Sequence, residues 1–179
     1  HDGTIELSLA GDGVLAARRR SGELEIWVAE HPEGAPHYLS YRLDAARHRE
    51  YLTTYGDHLV VSHRERSGQW SACSRRGDGH CIRLSASDYD LVLVGSDGLL
   101  SFVRPPATDD VHTDGAMAAV AIDAVVEGLA RIPQPRGRFV ARRGRRFIGR
   151  QCPARGWRAL DDVAIAAVAL DAPDRAGPA

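Results

Sequence analysis

Three aspartate-containing turns adjoin apolar segments of this chain. Asp97 follows the run DLVLVG in the turn Ser96–Asp97–Gly98, Asp12 lies in AGDGV, and Asp161 opens DDVAIAAV. A carboxylate at the end of a buried strand is costly unless it is paired, hydrogen-bonded or bound to a cation. Carboxylates that converge at one end of a sheet supply the oxygen ligands that Mg²⁺ or Mn²⁺ prefers. The three aspartates are therefore candidate metal ligands; the simpler alternative for Asp97 is that it or Ser96 caps a helix that starts at Gly98.

The segments around these turns predict an α+β fold of mainly antiparallel sheets. Apolar and polar residues alternate in several short runs that are separated by turn sequences rich in Gly, Asp and Ser. The first two runs flank GDG and predict a hairpin, and LEIWVA predicts a third strand of the same meander. The run DLVLVG lacks alternation, which predicts a central strand covered on both faces. The predicted strands cover residues 4–10, 14–17, 24–29, 58–63, 69–74, 79–84, 90–95 and the closing run 161–171.

Three helices are predicted between or after these strands. Asp44 is a plausible N-cap for a helix over 45–55 that ends at Gly56. The apolar stretch 116–132 predicts a helix that packs into the core, and 138–150 predicts a surface helix weakened by Gly144. The expected buried residues of the core helix are Met117, Val120, Ala124 and Leu129.

Composition gives little indication of nucleic acid or membrane partners. The 179 residues carry a formal net charge of −1, and 44% of them are hydrophobic. No apolar run reaches the roughly 18 residues that a membrane span requires. Cys73, Cys81 and Cys152 have no zinc-site spacing, so free thiols that are buried or half-buried are expected, with a disulfide between Cys73 and Cys81 as the lesser alternative. We expect a soluble, cytoplasmic protein of one domain over residues 1–171, with a flexible tail over 172–179.

Three segments together resemble the metal-dependent type 2C Ser/Thr protein phosphatases. IELSLAGDGVLAAR resembles the family's strand with a Gly-Asp-Ser turn, DYDLVLVGSDGLLSFV its strand with a Ser-Asp-Gly turn, and DDVAIAAVAL its closing Asp-Asn strand. The similarity runs from about residue 4 to residue 171. The chain begins in the first of these strands without an initiator Met, so we expect the family's N-terminal segment to be absent from it.

The resemblance implies a fold and an activity. The fold would be two packed, mainly antiparallel β-sheets flanked by helices, with a two-metal Mg²⁺ or Mn²⁺ centre at one end of the sandwich. Asp97 and Asp161 would be metal ligands, and Asp12 would lie where the family can bind an additional, weaker metal ion. The activity would be hydrolysis of phosphoserine or phosphothreonine in a phosphoprotein by metal-activated water.

Departures from the family pattern leave a second function open. Gly13 replaces the usual Ser, Ser101 stands where a further metal-binding Asp is common, and Asp162 and Ala164 replace Asn and Thr. The alternative is a catalytically inactive, phosphatase-like binding or regulatory module.

Two further segments permit more than one interpretation. The Arg-rich stretch 136–158, with interleaved aromatic residues, fits a solvated surface better than a nucleic-acid site, and in a phosphatase it could attract acidic phosphopeptides. The segment DDVHTD, residues 109–114, is a polar surface loop or an independent metal loop, and the first interpretation is favoured.

Overall fold

The computed structural model describes residues 3–35, 39–76, 79–105, 117–132 and 135–170, which belong to two compact units. Unit 1 is formed by the chain up to Val92 and again from Val168, and unit 2 is formed by Leu93–Ala167. The predicted tail 172–179 and the loop 109–114 lie outside the described residues. The predicted α+β class with mainly antiparallel sheets is confirmed.

Unit 1 contains most of the β-structure. Its strands are β1 (Thr4–Ala10), β2 (Gly13–Arg19), β3 (Leu24–Glu30), β4 (His58–Arg64), β5 (Trp70–Arg76), β6 (Gly79–Ser85) and the start of β7 (Tyr89–Ser96). Together with β11 (Ile165–Ala169), five of them form a six-stranded sheet in the order β11-β7-β2-β3-β4-β5. Strands β1 and β6 form a separate antiparallel pair, with Thr4 opposite Ser85 and Ala10 opposite Gly79.

The predicted hairpin between the first two strands is wrong. Strand β2 pairs with β3, with Gly13 opposite Ala29, whereas β1 pairs with β6. The reason lies in burial, because β1 buries only one face whereas Val14 to Ala17 of β2 are all buried. A strand that is buried on both faces lies in the interior of a sheet, as β2 does. Strand β1, which buries only one face, lies in the second, two-stranded layer. Gly11, with a φ of 83°, lies in the turn that leads from one sheet to the other.

The core of unit 1 lies between these two layers. Leu9 of β1 and Ile82 and Leu84 of β6 belong to one buried cluster with residues of the larger sheet, namely Leu15, Ala17, Trp27, Ala29, Leu59, Val61, Tyr89 and Val92. Ile26 and Val28 of β3 are buried, and so are Trp27 and Ala29 between and beyond them, so β3 is covered on both faces. The predicted burial of β7 is confirmed apart from Val94, which is exposed.

Helix α1 (Ala45–Tyr55) confirms its predicted bounds and its predicted caps. The Asp44 carboxylate accepts hydrogen bonds from the backbone N–H groups of Ala46 and Arg47, and the N–H of Gly56 donates to the carbonyl of Leu52. Only Tyr51 of this helix is buried, and its hydroxyl donates to the carbonyl of Ala35.

Unit 2 is mixed, with one small sheet and several helices. It contains the end of β7, strands β8 (Phe102–Arg104), β9 (Ala118–Ala119) and β10 (Arg158–Ala159), and most of β11. Its small sheet has the order β10-β8-β9. The helices are α2 (Ile122–Ala130), α3 (Phe139–Arg146) and the single turn α4 (Cys152–Ala154).

The core helix begins later than predicted. Ala118 and Ala119 pair with β8, and the N–H of Val120 donates to the carbonyl of Phe102, so the helix starts only at Ile122. Pairing with a strand satisfies the backbone here, which short-range helical spacing could not reveal. Val120 and Leu129 are buried as predicted, whereas Met117 and Ala124 are half-buried.

The predicted Arg-rich helix is present as α3, but it is not only a surface element. It continues into a π-helical segment, Phe147–Gln151, in which Phe147 is fully buried. An added Cβ on Gly128 of α2 would lie 2.1 Å from the Phe147 ring, so Phe147 packs directly on the backbone of α2. This aromatic residue is part of the core and is not available to stack on a nucleic-acid base.

The three cysteines are free thiols, as predicted, but the expectation that all three are buried or half-buried is wrong. Cys73 and Cys81 are exposed, and Cys152 is buried. No helix among the described residues is long and apolar enough to cross a membrane.

Candidate functional site

Asp97 begins a 3₁₀ turn, Asp97–Leu100, where β7 ends. The Asp97 side chain is exposed, and its Oδ1 accepts a hydrogen bond from the N–H of Gly98 at 3.0 Å. Two residues later, Leu99 is fully buried and anchors the turn. The sequence thus places the charged residue in solvent and the apolar residue in the core within one turn.

Ser96 connects this turn to the start of the closing strand. Its hydroxyl donates to the carbonyl of Asp162 at 3.2 Å and accepts from the N–H of Ala164 at 3.1 Å. Its own N–H donates to the carbonyl of Ala164 at 3.0 Å. Ser96 occupies the N-cap position of the turn, but its side chain makes no capping hydrogen bond there. The hydroxyl of Ser96 therefore bonds to the backbone of residues 162 and 164 and not to the turn that Ser96 precedes.

Ser101 makes a second connection between the same two segments. Its hydroxyl donates to the carbonyl of Gly98 at 2.8 Å and accepts from the N–H groups of Leu160, at 3.2 Å, and Asp161, at 3.1 Å. One side chain therefore satisfies backbone groups on both turns. Ser101 thus holds together the turn of Asp97 and the turn of Asp161, which are the two acidic turns of the candidate site.

Gly98 lets the two turns approach closely. A Cβ on this residue would lie 2.0 Å from the carbonyl oxygen of Asp162, which is well inside van der Waals contact. Only glycine fits this position without moving one of the turns.

Asp161 lies on the second of these turns and is exposed. Its Oδ1 accepts a hydrogen bond from the N–H of Asp162 at 2.7 Å, which repeats the arrangement at Asp97. The structure therefore brings together the turns that carry two of the three predicted metal ligands. Among the described residues, no group of three or more His, Cys, Asp or Glu side chains is placed to hold a metal ion.

Asp12, the third candidate, lies in unit 1 between β1 and β2. Its side chain is only 14% exposed and is engaged by His31. Asp12 Oδ1 accepts a hydrogen bond from the backbone N–H of His31 at 2.9 Å and pairs with the ring Nδ1 of the same residue. The carboxylate thus joins the turn after β1 to the end of β3.

The residues that position the site are harder to identify from the sequence than the acids themselves. Ser96 adjoins the predicted Asp97, but nothing in the sequence indicates that its hydroxyl bonds to residues 162 and 164. In the sequence, only its departure from the pattern of the resembling family distinguishes Ser101. His31 is one of eight histidines in the sequence, and its pairing with Asp12 follows from the register of the β2–β3 hairpin, in which Gly13 lies opposite Ala29.

No family model, curated protein or solved structure compared with the chain matches it.

Proposed function

We propose that this protein is a metal-dependent phosphatase that acts on phosphoserine or phosphothreonine in cytoplasmic phosphoproteins. The supporting observation is the direct bonding between the turn of Asp97 and the turn of Asp161, through Ser96, Gly98 and Ser101. This arrangement agrees with the resemblance of the three sequence segments to type 2C phosphatases.

The two acidic turns fit a hard divalent cation. Mg²⁺ is usually bound through one or two carboxylates and keeps several water molecules. Asp97 and Asp161 are both exposed, and in each the next backbone N–H fixes Oδ1. These two residues would hold Mg²⁺ or Mn²⁺. When bound, the cation would activate water and stabilise the negative charge that develops on the transferred phosphoryl group.

The surrounding side chains have a positioning role in this proposal. The hydroxyl groups of Ser96 and Ser101 fix the backbone on either side of the acids, so the carboxylates are held by bonded turns. Side-chain positions that are fixed before a ligand arrives reduce the cost of ordering the site. In this proposal Asp12 supports an additional, weaker ion at most, because His31 already engages its Oδ1.

A catalytically inactive binding or regulatory module is the second candidate. The observation that favours it is that no group of three or more metal-ligating side chains occurs among the described residues. Ser101 also serves a structural role at the position where the family often has an acid.

The test is metal-dependent hydrolysis of p-nitrophenyl phosphate by the chain and by three single variants. Asp97→Asn and Asp161→Asn remove one proposed ligand each, and Asp162→Asn removes a neighbouring exposed charge as the matched control. We expect turnover with Mn²⁺ that falls by more than about a hundredfold in the first two variants, since loss of a mere supporting residue already costs 10–100-fold. Asp162→Asn should change it little.

Two results would contradict the enzyme proposal. One is the absence of Mn²⁺-dependent turnover in a folded protein that still binds Mn²⁺ by calorimetry, which would support the inactive module. The other is an equal loss in all three variants, which would attribute the effect to general charge at this surface.

A further inference from the structure

A small cavity of unit 2, away from the acidic turns, is lined mainly by charged side chains. It has a volume of about 130 Å³ and lies among the end of α2, the middle of α3 and the segment around α4. Three guanidinium groups face one carboxylate there, which leaves an excess of positive charge. The charged lining residues are Arg131, Arg143, Arg155 and Glu127.

Arg143 is fixed in this cavity by two hydrogen bonds. Its Nη2 donates to the carbonyl of Gly128 and, at 3.1 Å, to Oε1 of Gln151. The Gly128 carbonyl is one of the last four of α2, which have no partner within the helix. The guanidinium therefore completes the end of α2 and is held in one orientation.

The same side chain has a donor without a partner among the described residues. The Nε of Arg143 is buried and has no hydrogen-bond partner within the part of the chain that the structure describes. A buried donor without an acceptor is unfavourable, and more so on a charged group. Burial, and then the positive charges of Arg146, Arg131 and Arg155, lower the pKa of Arg143. A negative charge in the cavity beside this guanidinium would offset the repulsion from the neighbouring arginines.

The other two arginines have donors that are less constrained. Arg131 follows the last residue of α2 and is exposed. Arg155 stacks its guanidinium over the Trp157 ring, 4.8 Å from the centroid. Stacking occupies the face of a guanidinium and leaves the N–H groups at its edge available. Donors from several guanidinium groups suit an oxyanion with many acceptor atoms, and phosphate is such an anion.

We propose that this cavity binds a phosphate group, either as inorganic phosphate or as a phosphoryl group carried by a peptide. Arg143 would be the fixed element of the site, and Arg131 and Arg155 would close on the anion. Glu127 opposes binding, because its carboxylate repels the anion and competes for the same guanidinium groups. The proposal does not depend on the acidic turns, and it is tested without divalent metal.

The experiment is calorimetric titration of the chain with inorganic phosphate and, separately, with a short phosphoserine peptide, in EDTA at constant ionic strength. The variants are Arg131→Gln, Arg155→Gln, Arg143→Gln and Glu127→Gln. The matched control is Arg145→Gln, an exposed arginine of α3 two residues beyond Arg143 and so on roughly the opposite side of the helix. Circular dichroism checks the fold of each variant, and Arg131→Gln and Glu127→Gln leave the bonds of Arg143 to α2 intact.

We expect Arg131→Gln and Arg155→Gln to weaken phosphate binding by about tenfold, the effect of losing one charge-assisted hydrogen bond. Arg143→Gln should abolish binding, Arg145→Gln should leave the affinity unchanged, and Glu127→Gln should tighten it. Tighter binding of the peptide than of phosphate would identify the carried phosphoryl group as the ligand, and the reverse would identify the free ion. Absence of binding in the unaltered chain, or an Arg145→Gln loss equal to that of Arg131→Gln, would overturn the proposal.

Discussion

At the scale of single residues, Gly98 is the position where the site tolerates least change. Its Cα hydrogen faces the carbonyl of Asp162, and a methyl group in its place would lie 2.0 Å from that oxygen. The constraint is steric and involves backbone, which cannot rotate away as a flexible side chain can. Gly149, in the π-helical segment, has open space where its Cβ would be.

Gly98→Ala should therefore destabilise the protein by about 1–3 kcal/mol, the usual cost of overpacking. In a protein with the proposed activity, it should also reduce Mn²⁺-dependent turnover, because the two acidic turns must move apart. Urea unfolding and the phosphatase assay check these two effects. Gly149→Ala is the control; it should leave turnover unchanged and raise the free energy of unfolding by up to about 1 kcal/mol, because alanine favours a helix over glycine. A loss of stability and turnover equal to that of Gly98→Ala would mean that the close approach at Gly98 is unimportant.

A buried polar network in unit 1 is the second residue-scale feature. The Glu25 carboxylate accepts hydrogen bonds from Arg19 Nε at 2.7 Å and from the Tyr89 hydroxyl at 2.8 Å. Arg19 Nη2 also donates to the Tyr89 oxygen, at 3.0 Å. Burial, followed by the hydrogen bond to Glu25, raises the pKa of Tyr89 from 10.0 to about 12. The network depends on Tyr89 keeping its proton.

Alkaline titration should reveal this tyrosine. Because the folded pKa is raised, the neutral phenol stabilises the fold fully below pH 10, and this contribution is lost as the pH rises through about 12. Tyrosinate absorbance should show one group that ionises near pH 12, and Tyr89→Phe should remove that group. If the variant instead removes a group that ionises near pH 10, the hydroxyl is not held by Glu25.

At the scale of elements, local signals determine helix α1 but not the partners of the strands. Asp44 and Gly56 mark both ends of α1, because capping involves residues within one turn. The pairing of β1 with β6 joins residues about 70 to 80 positions apart, and the sequence of β1 fits either sheet. Residues 117–121 lie outside the helix for a similar reason. Ala118 and Ala119 pair with strand β8, and a local helical pattern does not reveal this pairing.

The capping of α1 can be tested directly. Asp44→Ala removes the acceptor for the N–H groups of Ala46 and Arg47 and should cost about 1 kcal/mol in the free energy of unfolding. Asp44→Ser retains a capping oxygen and should recover most of that loss in urea titrations. Equal losses in the two variants would show that the charge of Asp44, and not its hydrogen bonds, supports the helix.

At the scale of the whole molecule, the sequence identifies the acids of the candidate site but not what holds them. Asp97 and Asp161 can be recognised from their immediate sequence neighbours, because each is a charged residue next to an apolar segment. The bridging serines and the Gly98 contact join segments about 60 residues apart, so they become visible only in three dimensions. Arg143 is one of many arginines in its segment, and only the fold separates it from its exposed neighbours.

The positions of the three thiols allow the rate of local unfolding in unit 2 to be measured. Cys152 is the buried cysteine, and burial raises the pKa of its thiol, whereas the exposed Cys73 and Cys81 belong to unit 1. A disulfide reagent such as DTNB should modify the two exposed thiols at once and reach Cys152 only when its surroundings open. The rate of the slow phase of that reaction then measures local unfolding around α4. The rate of that phase, measured with and without phosphate, would show whether phosphate slows local opening next to the arginine-lined cavity.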